Sequence, residues 1–344
     1  MEGNLRTTAM GILPHKGIKE AMELVFKLDV PFFPQLPNLN FYEDMYAQTS
    51  ANFPGIRLDL SEEKIFFDKG RFFEELDDYM ERIEEEELFQ LRPPYSSTYD
   101  RFLEEDLSRY FAIRGQVTGP VSFGFRVFDE EGKPMIYDEA VREILFDFIR
   151  RKVNVMQREL QERNERAFVW IDEPGLGWVF SGMSGYIDMH AKKDMRAFFD
   201  GVEGFKGLHL CAEVGLPYLL DLGVDILSFD AYQMGVLSPE GAKLIGKFFE
   251  KGGILVWGIV PTEPALLINE DIGSLSERLL GYWREIEKEG VPPEEIARSS
   301  MIAPARCLVK IVGETAGEMD EVAAVGRAFD LLFQLKDSLG ERYL

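Results

Sequence analysis

Residues 167–174 read AFVWIDEP. The four apolar residues 168–171 do not alternate with polar ones, which is typical of a strand that is buried on both faces. Asp172 and Glu173 follow that run, and Pro174 ends it. Buried strands of this kind occur in parallel sheets that are covered by helices. The stretch therefore predicts an α/β protein with polar groups at the ends of its strands.

The same arrangement recurs along the chain, where short apolar runs alternate with longer stretches of helical spacing. The eight predicted strands are residues 7–13, 30–33, 113–117, 168–171, 208–210, 226–229, 254–260 and 300–302. The predicted helices are residues 18–28, 137–165, 191–201, 214–222, 239–251, 272–289 and 317–338. A count of eight strands favours a closed (β/α)8 TIM barrel over an open sheet.

Residues 38–110 interrupt this alternation. They contain two extended stretches, 56–60 and 64–67, and a very acidic predicted helix at 72–89. The sequence thus predicts a single TIM-barrel domain over residues 1–344, with residues 38–110 inserted after the second strand. Such an insertion could cover the mouth of the barrel.

The chain is strongly acidic, with 38 Lys and Arg against 61 Asp and Glu and a formal net charge of −23. This charge argues against partners that expose phosphate, so we expect no nucleic acid and no membrane as partners. The first ten residues lack the apolar segment of a secretory signal, and no 18-residue apolar run occurs. We therefore expect a cytoplasmic protein whose 2 cysteines are reduced and available as ligands.

In a TIM barrel the active site lies at the carboxyl ends of the strands. The residues at those predicted ends include two of the three histidines and both cysteines. The candidates are His15, Gln35, Thr118, Gly119, Asp172, Glu173, His209, Cys211, Asp230 and Cys307. The remaining histidine, His190, lies in a polar stretch before a helix, and we interpret it as a surface residue.

His209 and Cys211 are the sharpest local signal. Residues two apart on a strand point to the same face, so both side chains would face the mouth. An imidazole beside a thiolate is half of a zinc site, and Cys307 is the only other thiol in the chain. A carboxylate would complete the set of zinc ligands. The candidates are Asp230 at the end of the next strand and Glu213, which would face the same side as His209 and Cys211 if the strand continued. Alone, the pattern also fits a buried cysteine beside a hydrogen-bonded histidine.

Asp172 and Glu173 are candidate catalytic or substrate-binding carboxylates. One of the two should face the barrel axis, where it would pair with a cationic group or act as a general base; the alternative role is to cap a helix. Thr118 and Gly119 place a hydroxyl and a backbone without a side chain at the mouth. This arrangement would allow a ligand to approach closely, but it also fits a turn with no binding role. His15 is either a substrate contact or a turn residue.

Three common catalytic motifs are missing from the sequence. It has no Gly-x-x-x-x-Gly-Lys-Ser/Thr phosphate loop, no Gly-x-Gly-x-x-Gly after a strand and no Gly-x-Ser-x-Gly elbow. Their absence argues against the common nucleotide-dependent enzymes and serine hydrolases.

Five segments carry a family resemblance. They read TTAMGILPH at residues 7–15, TGP at 118–120, IDEP at 171–174, HLC at 209–211 and PARC at 304–307. In this order they resemble the catalytic barrel of cobalamin-independent methionine synthase, within the uroporphyrinogen decarboxylase-like superfamily. Asp230 stands where that family has a glutamate ligand.

The resemblance implies zinc-dependent transfer of a methyl group to a thiol such as homocysteine, as in methionine synthesis. It implies His209, Cys211 and Cys307 as Zn²⁺ ligands, with Asp230 as a weaker fourth, and Asp172 as the residue that orients the substrate. A free thiol has a pKa of about 8.5, and coordination to Zn²⁺ deprotonates it.

The chain also departs from this family. It has no room for the second, N-terminal barrel that helps to bind a folate donor, so a methyl-corrinoid or a corrinoid protein is an alternative methyl donor. Ile12 stands where the family has a serine that holds the amino acid, and Gln35 stands roughly where a glutamate pairs with the substrate's ammonium group. We retain Ile12, His15 and Gln35 as substrate-binding candidates.

Two other functions remain open at this point. One is a metal-free decarboxylase of a porphyrin-like polyacid, in which Asp172 or Asp230 would contact pyrrole nitrogens; the arginine-rich segment of such enzymes has no counterpart near residues 5–13. The other is a non-catalytic corrinoid- or thiol-binding protein with a structural metal. Metal analysis would separate the decarboxylase from the methyltransferase, because the decarboxylase needs no zinc, and a closed four-ligand site inert to thiols would support the non-catalytic protein.

Overall fold

The computed structural model describes residues 1–180, 184–212, 214–307 and 320–344. In these ranges the strands are β1 (Arg6–Thr7), β2 (Ile56–Asp59), β3 (Lys64–Phe67), β4 (Arg114–Thr118), β5 (Phe168–Asp172), β6 (Phe205–Leu210), β7 (Ile226–Asp230), β8 (Ile254–Val260) and β9 (Ser300–Pro304). The helices are α1 (Ile18–Val25), α2 (Met45–Ser50), α3 (Lys69–Glu81), α4 (Ser97–Leu103), α5 (Pro120–Arg126), α6 (Glu139–Gln161), α7 (Leu176–Val179), α8 (Asp188–Asp200), α9 (Leu216–Leu220), α10 (Pro239–Glu250), α11 (Pro264–Leu267), α12 (Ile272–Lys288), α13 (Pro293–Arg298) and α14 (Glu321–Tyr343). None of these described helices is long and apolar enough to cross a membrane.

Within the described ranges, seven strands form one parallel sheet in the order β1-β9-β8-β7-β6-β5-β4. Helices separate consecutive strands and flank the sheet. The prediction of an α/β protein with a parallel sheet is therefore confirmed. The helices α10 and α12 begin at the residues that the spacing predicts.

The first two predicted strands are only partly formed. The run 7–13 contributes only Thr7 to β1 and an isolated bridge at Ile12, and the run 30–33 forms one isolated bridge at Phe32 instead of a strand. Pro31 and Pro34 explain the second case, because a proline has no N–H to donate to a ladder. The described sheet therefore has seven strands, where the sequence predicts eight.

The run 30–33 nevertheless bonds to both edges of the sheet. Phe32 bridges in parallel to Arg114 of β4. On the other side, the Val30 N–H donates to the Thr7 carbonyl of β1 over 3.0 Å. The sheet is therefore curled, with its two edge strands on either side of one short segment.

The two faces of the sheet pack differently. Val169 and Ile171 of β5 point toward the helices and belong to the larger apolar core. Phe168 and Trp170 point the other way, into a second apolar cluster on the concave face. Alternate residues of a strand point to the same face, so Asp172 lies on the concave face together with Phe168 and Trp170.

Residues 38–110 form a small antiparallel hairpin and several helices. In the hairpin β2 pairs with β3 from Ile56↔Phe67 to Asp59↔Lys64. The acidic helix predicted at 72–89 is α3, which ends at Glu81. Helix α2 packs at the carboxyl end of β4, where the Thr118 hydroxyl donates to the Met45 carbonyl over 3.3 Å. This segment thus reaches the end of the sheet where the candidate residues lie.

Candidate functional site

A row of polar side chains crosses four neighbouring strands near their carboxyl ends. The register pairs Thr118 with Asp172, Asp172 with His209, and His209 with Ser228. Residues that are paired in parallel strands point to the same face, so this row lies on the concave side. All four side chains are buried.

His209 is held by two contacts that leave one ring nitrogen free. Its Nδ1 lies 3.0 Å from the Ser228 hydroxyl, and its ring stacks on Trp170 with the centroids 5.6 Å apart. Its Nε2 is buried and has no hydrogen-bond partner among the described residues. Burial, together with the positive charge of nearby Arg114, lowers the pKa of His209 to about 3. The neutral ring that donates from Nδ1 to Ser228 keeps a lone pair on Nε2.

Arg114 lies behind this site, fully buried on the concave face. Its guanidinium is 3.9 Å from the centre of the Trp170 ring and donates to the side chains of Thr8 and Gln116. Burial lowers the pKa of Arg114 to about 9, and Asp172 opposes that shift. Sequence analysis missed Arg114 and Trp170; the one available signal was a charged residue inside a run that otherwise indicates a buried strand.

The two thiols lie at the ends of β6 and β9. Cys211 and Cys307 are both partly buried and form no disulfide. Burial raises the pKa of each thiol, and the negative charge of Cys211 also raises the pKa of Cys307. The charge of Asp172 raises both pKa values as well. Both predicted thiols therefore lie at the same end of the parallel sheet as His209 and Asp172, on β6 and β9.

Asp230 is engaged elsewhere. One of its carboxylate oxygens accepts from the Arg306 guanidinium over 2.6 Å, and the other accepts from the Gln233 N–H over 3.0 Å. The alternative carboxylate, Glu213, lies outside the described residues. Across residues 1–180, 184–212, 214–307 and 320–344, no three His, Cys, Asp or Glu side chains are grouped closely enough to hold a metal ion.

Asp172 and Glu173 point to opposite sides, as the strand pattern predicts. Burial raises the pKa of Asp172 to about 7, and the positive charge of Arg114 opposes the shift. Glu173 accepts from the N–H groups of Val121 and Ser122 over 2.9 and 2.8 Å, and so binds the amino end of α5. Burial raises its pKa to about 7, and these hydrogen bonds oppose the shift. Asp172 is thus the carboxylate that faces the site, and Glu173 is a helix cap.

Gly119 is required by this cap. The Glu173 carboxylate packs against its α-carbon so closely that any side chain at position 119 would collide with it. Thr118 is fully buried, and its N–H lies 3.2 Å from the Thr49 hydroxyl of α2. The structure places both residues beside the site, but with their polar groups bonded to protein.

The remaining candidates lie around the end of β1. His15 and Gln35 are buried, and each has one polar side-chain atom, Nδ1 and Oε1 respectively, without a partner among the described residues. Ile12 is half-buried and bridges in parallel to Gln35. His190 is exposed on α8, as we interpreted it.

A cavity of about 790 Å³ adjoins the thiol side of the site. Cys211, Asp230 and Arg306 form one part of its wall. Apolar side chains from α9 and the segment that leads into α10 form much of the rest, among them Leu216, Leu219, Met234 and Leu237. A ligand that reaches Cys211 would therefore have space for an apolar portion beside it.

The donor set fits a zinc ion by its chemistry. Zn²⁺ binds imidazole nitrogen and thiolate sulfur, and a catalytic site keeps one position open. His209 offers a buried nitrogen with no competing hydrogen bond among the described residues, and Cys211 and Cys307 are free thiols. Asp230 fits less well, because Arg306 already pairs with its carboxylate.

No family model matches the sequence, and no curated protein matches it. Among solved structures, the chain is similar to a B12-independent methionine synthase from Shewanella sp. W3-18-1 in complex with selenomethionine. The two share 14% identity with a TM-score of 0.46, and the match covers 67% of this chain and 62% of that one. It is also similar to the carboxyl transferase domain of Rhizobium etli pyruvate carboxylase with 3-hydroxypyruvate, with 11% identity, a TM-score of 0.26, and coverage of 70% and 43%. The chain thus spans less than two thirds of either structure. Likenesses this distant bear on neither activity nor ligands.

Proposed function

We propose that this chain is a zinc-dependent methyltransferase that transfers a methyl group from a corrinoid or folate-type donor to a thiol such as homocysteine, in the cytoplasm. The observation that carries the proposal is the buried Nε2 of His209, which has no hydrogen-bond partner in the described part of the chain and lies at the same end of the sheet as both cysteines. A buried polar atom without a partner is costly, and a metal ion would satisfy it. Ser228 would hold the ring in the tautomer that keeps the lone pair on Nε2.

The proposed ligands are His209, Cys211 and Cys307, and binding would have to draw these side chains together. Asp230 is the proposed weaker fourth ligand and would have to leave Arg306 to serve. Bound zinc would ionise an incoming thiol and so supply the nucleophile at neutral pH.

The protein's own groups would orient the acceptor. Asp172 faces the site, and in the part of the chain that the structure describes its carboxylate accepts no side-chain hydrogen bond, so it is available to pair with a cationic group of the substrate. Arg114, behind Trp170, favours the ionised form of that carboxylate. The buried strand ends would keep the acceptor in a fixed orientation and exclude bulk water, which lowers the entropic barrier to in-line attack on the methyl group.

The scaffold in this proposal is a closed (β/α)8 barrel in one domain over residues 1–344, with residues 38–110 as its insertion. The bonds of the run 30–33 to both edge strands support closure. Closure would place all the candidate residues around one mouth.

The proposal is tested by metal content and activity of single variants. Cys211→Ser, Cys307→Ser and His209→Asn should each lose stoichiometric zinc, and with it the methylation of homocysteine by methylcobalamin. His190→Asn is the matched control, because that histidine is exposed on α8, and it should retain both. Circular dichroism would verify folding. Full zinc content in all three ligand variants would contradict the proposal.

A further inference from the structure

The cavity of about 790 Å³ beside Cys211 extends to the helix side of the sheet. Leu210 of β6 and Phe229 of β7 line it, are paired in register, and belong to the core that packs against the helices. His209 precedes Leu210 and therefore points the other way, to the concave face. Residues of α9 and of the segment that leads into α10 line the rest of this space, which we call the α9–α10 cavity. It is distinct from the concave face on which Asp172 lies.

Most of the wall of the α9–α10 cavity is apolar. Among the residues that line it, Leu219 and Leu237 are buried, and Leu216 and Met234 are half-buried. Its volume lies within the range of sites that enclose small molecules. A ligand that buries apolar surface in such a space gains affinity roughly in proportion to the area buried. The cavity therefore favours ligands with an apolar body.

The charged side chains of this wall do not call for a charged ligand. Arg306 Nε donates to Asp230 Oδ2 over 2.6 Å, and Arg306 Nη2 donates to Gln233 Oε1 over 2.7 Å. The Gln233 N–H donates back to Asp230 Oδ1 over 3.0 Å, which closes a ring of hydrogen bonds. Glu240, the third charged residue of the wall, is exposed near the start of α10. An ionised ligand would lose its hydration here and find the opposite charge already paired, so an uncharged ligand is favoured.

The same wall contains the thiol of Cys211, which is half-buried beside the Arg306–Asp230 pair. A molecule in the α9–α10 cavity therefore has one end at a residue that we propose as a zinc ligand. Sulfur is a ligand that zinc prefers in proteins. A thiol with its sulfur at that end would have its substituent enclosed by the apolar wall.

We propose that the α9–α10 cavity binds the uncharged, apolar substituent of a thiol acceptor, so that the acceptors include alkyl and aryl thiols as well as small amino-acid thiols. The inference rests on the proposed function for the role of the thiol. The preference of the cavity for an uncharged, apolar group follows from its wall alone, and it can be measured without zinc chemistry.

The test uses three amide and carboxylate probes, which are titrated against the full chain by ligand-observed NMR. Hexanamide and hexanoate have the same shape and differ in charge, and butanamide is two methylenes shorter. The wild-type protein should bind hexanamide about tenfold more tightly than hexanoate. It should bind hexanamide about 15-fold more tightly than butanamide, at about fourfold for each methylene that is buried. Equal affinities in either comparison would overturn the inference.

Two pairs of variants tie this binding to the cavity. Leu216→Trp should weaken hexanamide at least about tenfold by filling the space, whereas Leu220→Trp, on the same helix but outside the wall, should not. Asp230→Asn leaves Arg306 without its counter-charge and should strengthen hexanoate binding about tenfold. Glu240→Gln makes the same chemical change at an exposed position and should alter it less than about twofold. Circular dichroism verifies folding, and identical behaviour within both pairs would overturn the inference.

The reach of the ligand to Cys211 is tested in Cys307→Ser, which leaves Cys211 as the single thiol of the chain. Saturating hexanamide should slow alkylation of Cys211 by iodoacetamide at least about fivefold, because the probe covers that end of the wall. An unchanged rate would show that the occupant does not reach the thiol and would overturn the inference. Zinc content is measured separately. A protein that meets these expectations but holds no zinc would support the cavity and contradict the methyltransferase proposal.

Discussion

His209 depends on neighbours that no local sequence pattern indicates. The His-x-Cys spacing predicts which face the ring shares with Cys211, because that follows from strand geometry alone. Ser228, which binds Nδ1, is 19 residues further along and is brought opposite only by the register of β6 and β7. Trp170 reaches the ring from the strand on the other side. The identity of the candidate site residues was thus predictable, and their support was not.

Ser228→Ala tests this support directly. Removing the hydroxyl frees the ring to rotate and to change tautomer, so we expect zinc affinity to fall about 10- to 100-fold. Competition with a chromogenic chelator measures the effect. Ser300→Ala is the control, since that buried hydroxyl bonds to Trp257 Nε1 and not to His209. Equal affinities in wild type and Ser228→Ala would show that Nδ1 needs no anchor.

At the scale of elements, the longer helices were predictable, whereas short helices such as α2 and α5 and the first strands were not. Helix α6 has an amphipathic pattern, and Asp138 accepts from the Val141 N–H at its start. Both signals are local, and so they can be read from sequence. The runs 7–13 and 30–33 have the apolar composition of strands, but Pro31 and Pro34 interrupt the hydrogen bonding of the second run. The packing of α2 against the carboxyl end of β4 depends on tertiary contacts, which cannot be predicted from composition.

Helix α6 contains a buried cation, Lys152, which is 3% exposed. Its Nζ donates to the Ala51 carbonyl over 3.1 Å, and burial lowers its pKa from 10.5 to about 7. Below about pH 7 the group is charged in both folded and unfolded chains, and the cost of burying the charge is fully present. Between about 7 and 10.5 the unfolded chain binds more protons, so stability rises with pH.

Lys152→Met should therefore raise the free energy of unfolding at pH 7 by about 2 kcal/mol, and its advantage should shrink as the pH rises toward 10. Urea unfolding at several pH values measures this difference. Lys243→Met on α10, where the lysine is exposed, should change little at any pH. A Lys152→Met variant that is less stable than wild type at pH 7 would contradict the interpretation.

For the whole molecule, the open question is whether the curled sheet closes. The alternating pattern predicted the parallel order of strands, since each strand is followed by a helix that returns the chain. It could not predict that the run 30–33 would contribute one isolated bridge instead of a strand. Two prolines leave that run with few donors, yet the Gln35 N–H still donates to the Gly11 carbonyl over 2.8 Å.

Amide hydrogen exchange tests closure. In a closed barrel the amides of Val30, Gln35 and Arg114, which bond across the seam, should be protected to within about tenfold of those in β5 and β6. Exchange at these three amides as fast as in exposed turns would indicate an open sheet. The carboxyl ends of β1 and β4 would then no longer share one mouth.

His209, Cys211 and Cys307 are proposed to hold a zinc ion with one position open to a thiol. Zinc K-edge X-ray absorption of the purified protein, before and after addition of homocysteine, tests it most directly. We expect two sulfur neighbours at about 2.3 Å and one nitrogen neighbour at about 2.0 Å, and one more sulfur after the addition. A zinc environment without sulfur, or a sulfur count that homocysteine does not change, would contradict the account.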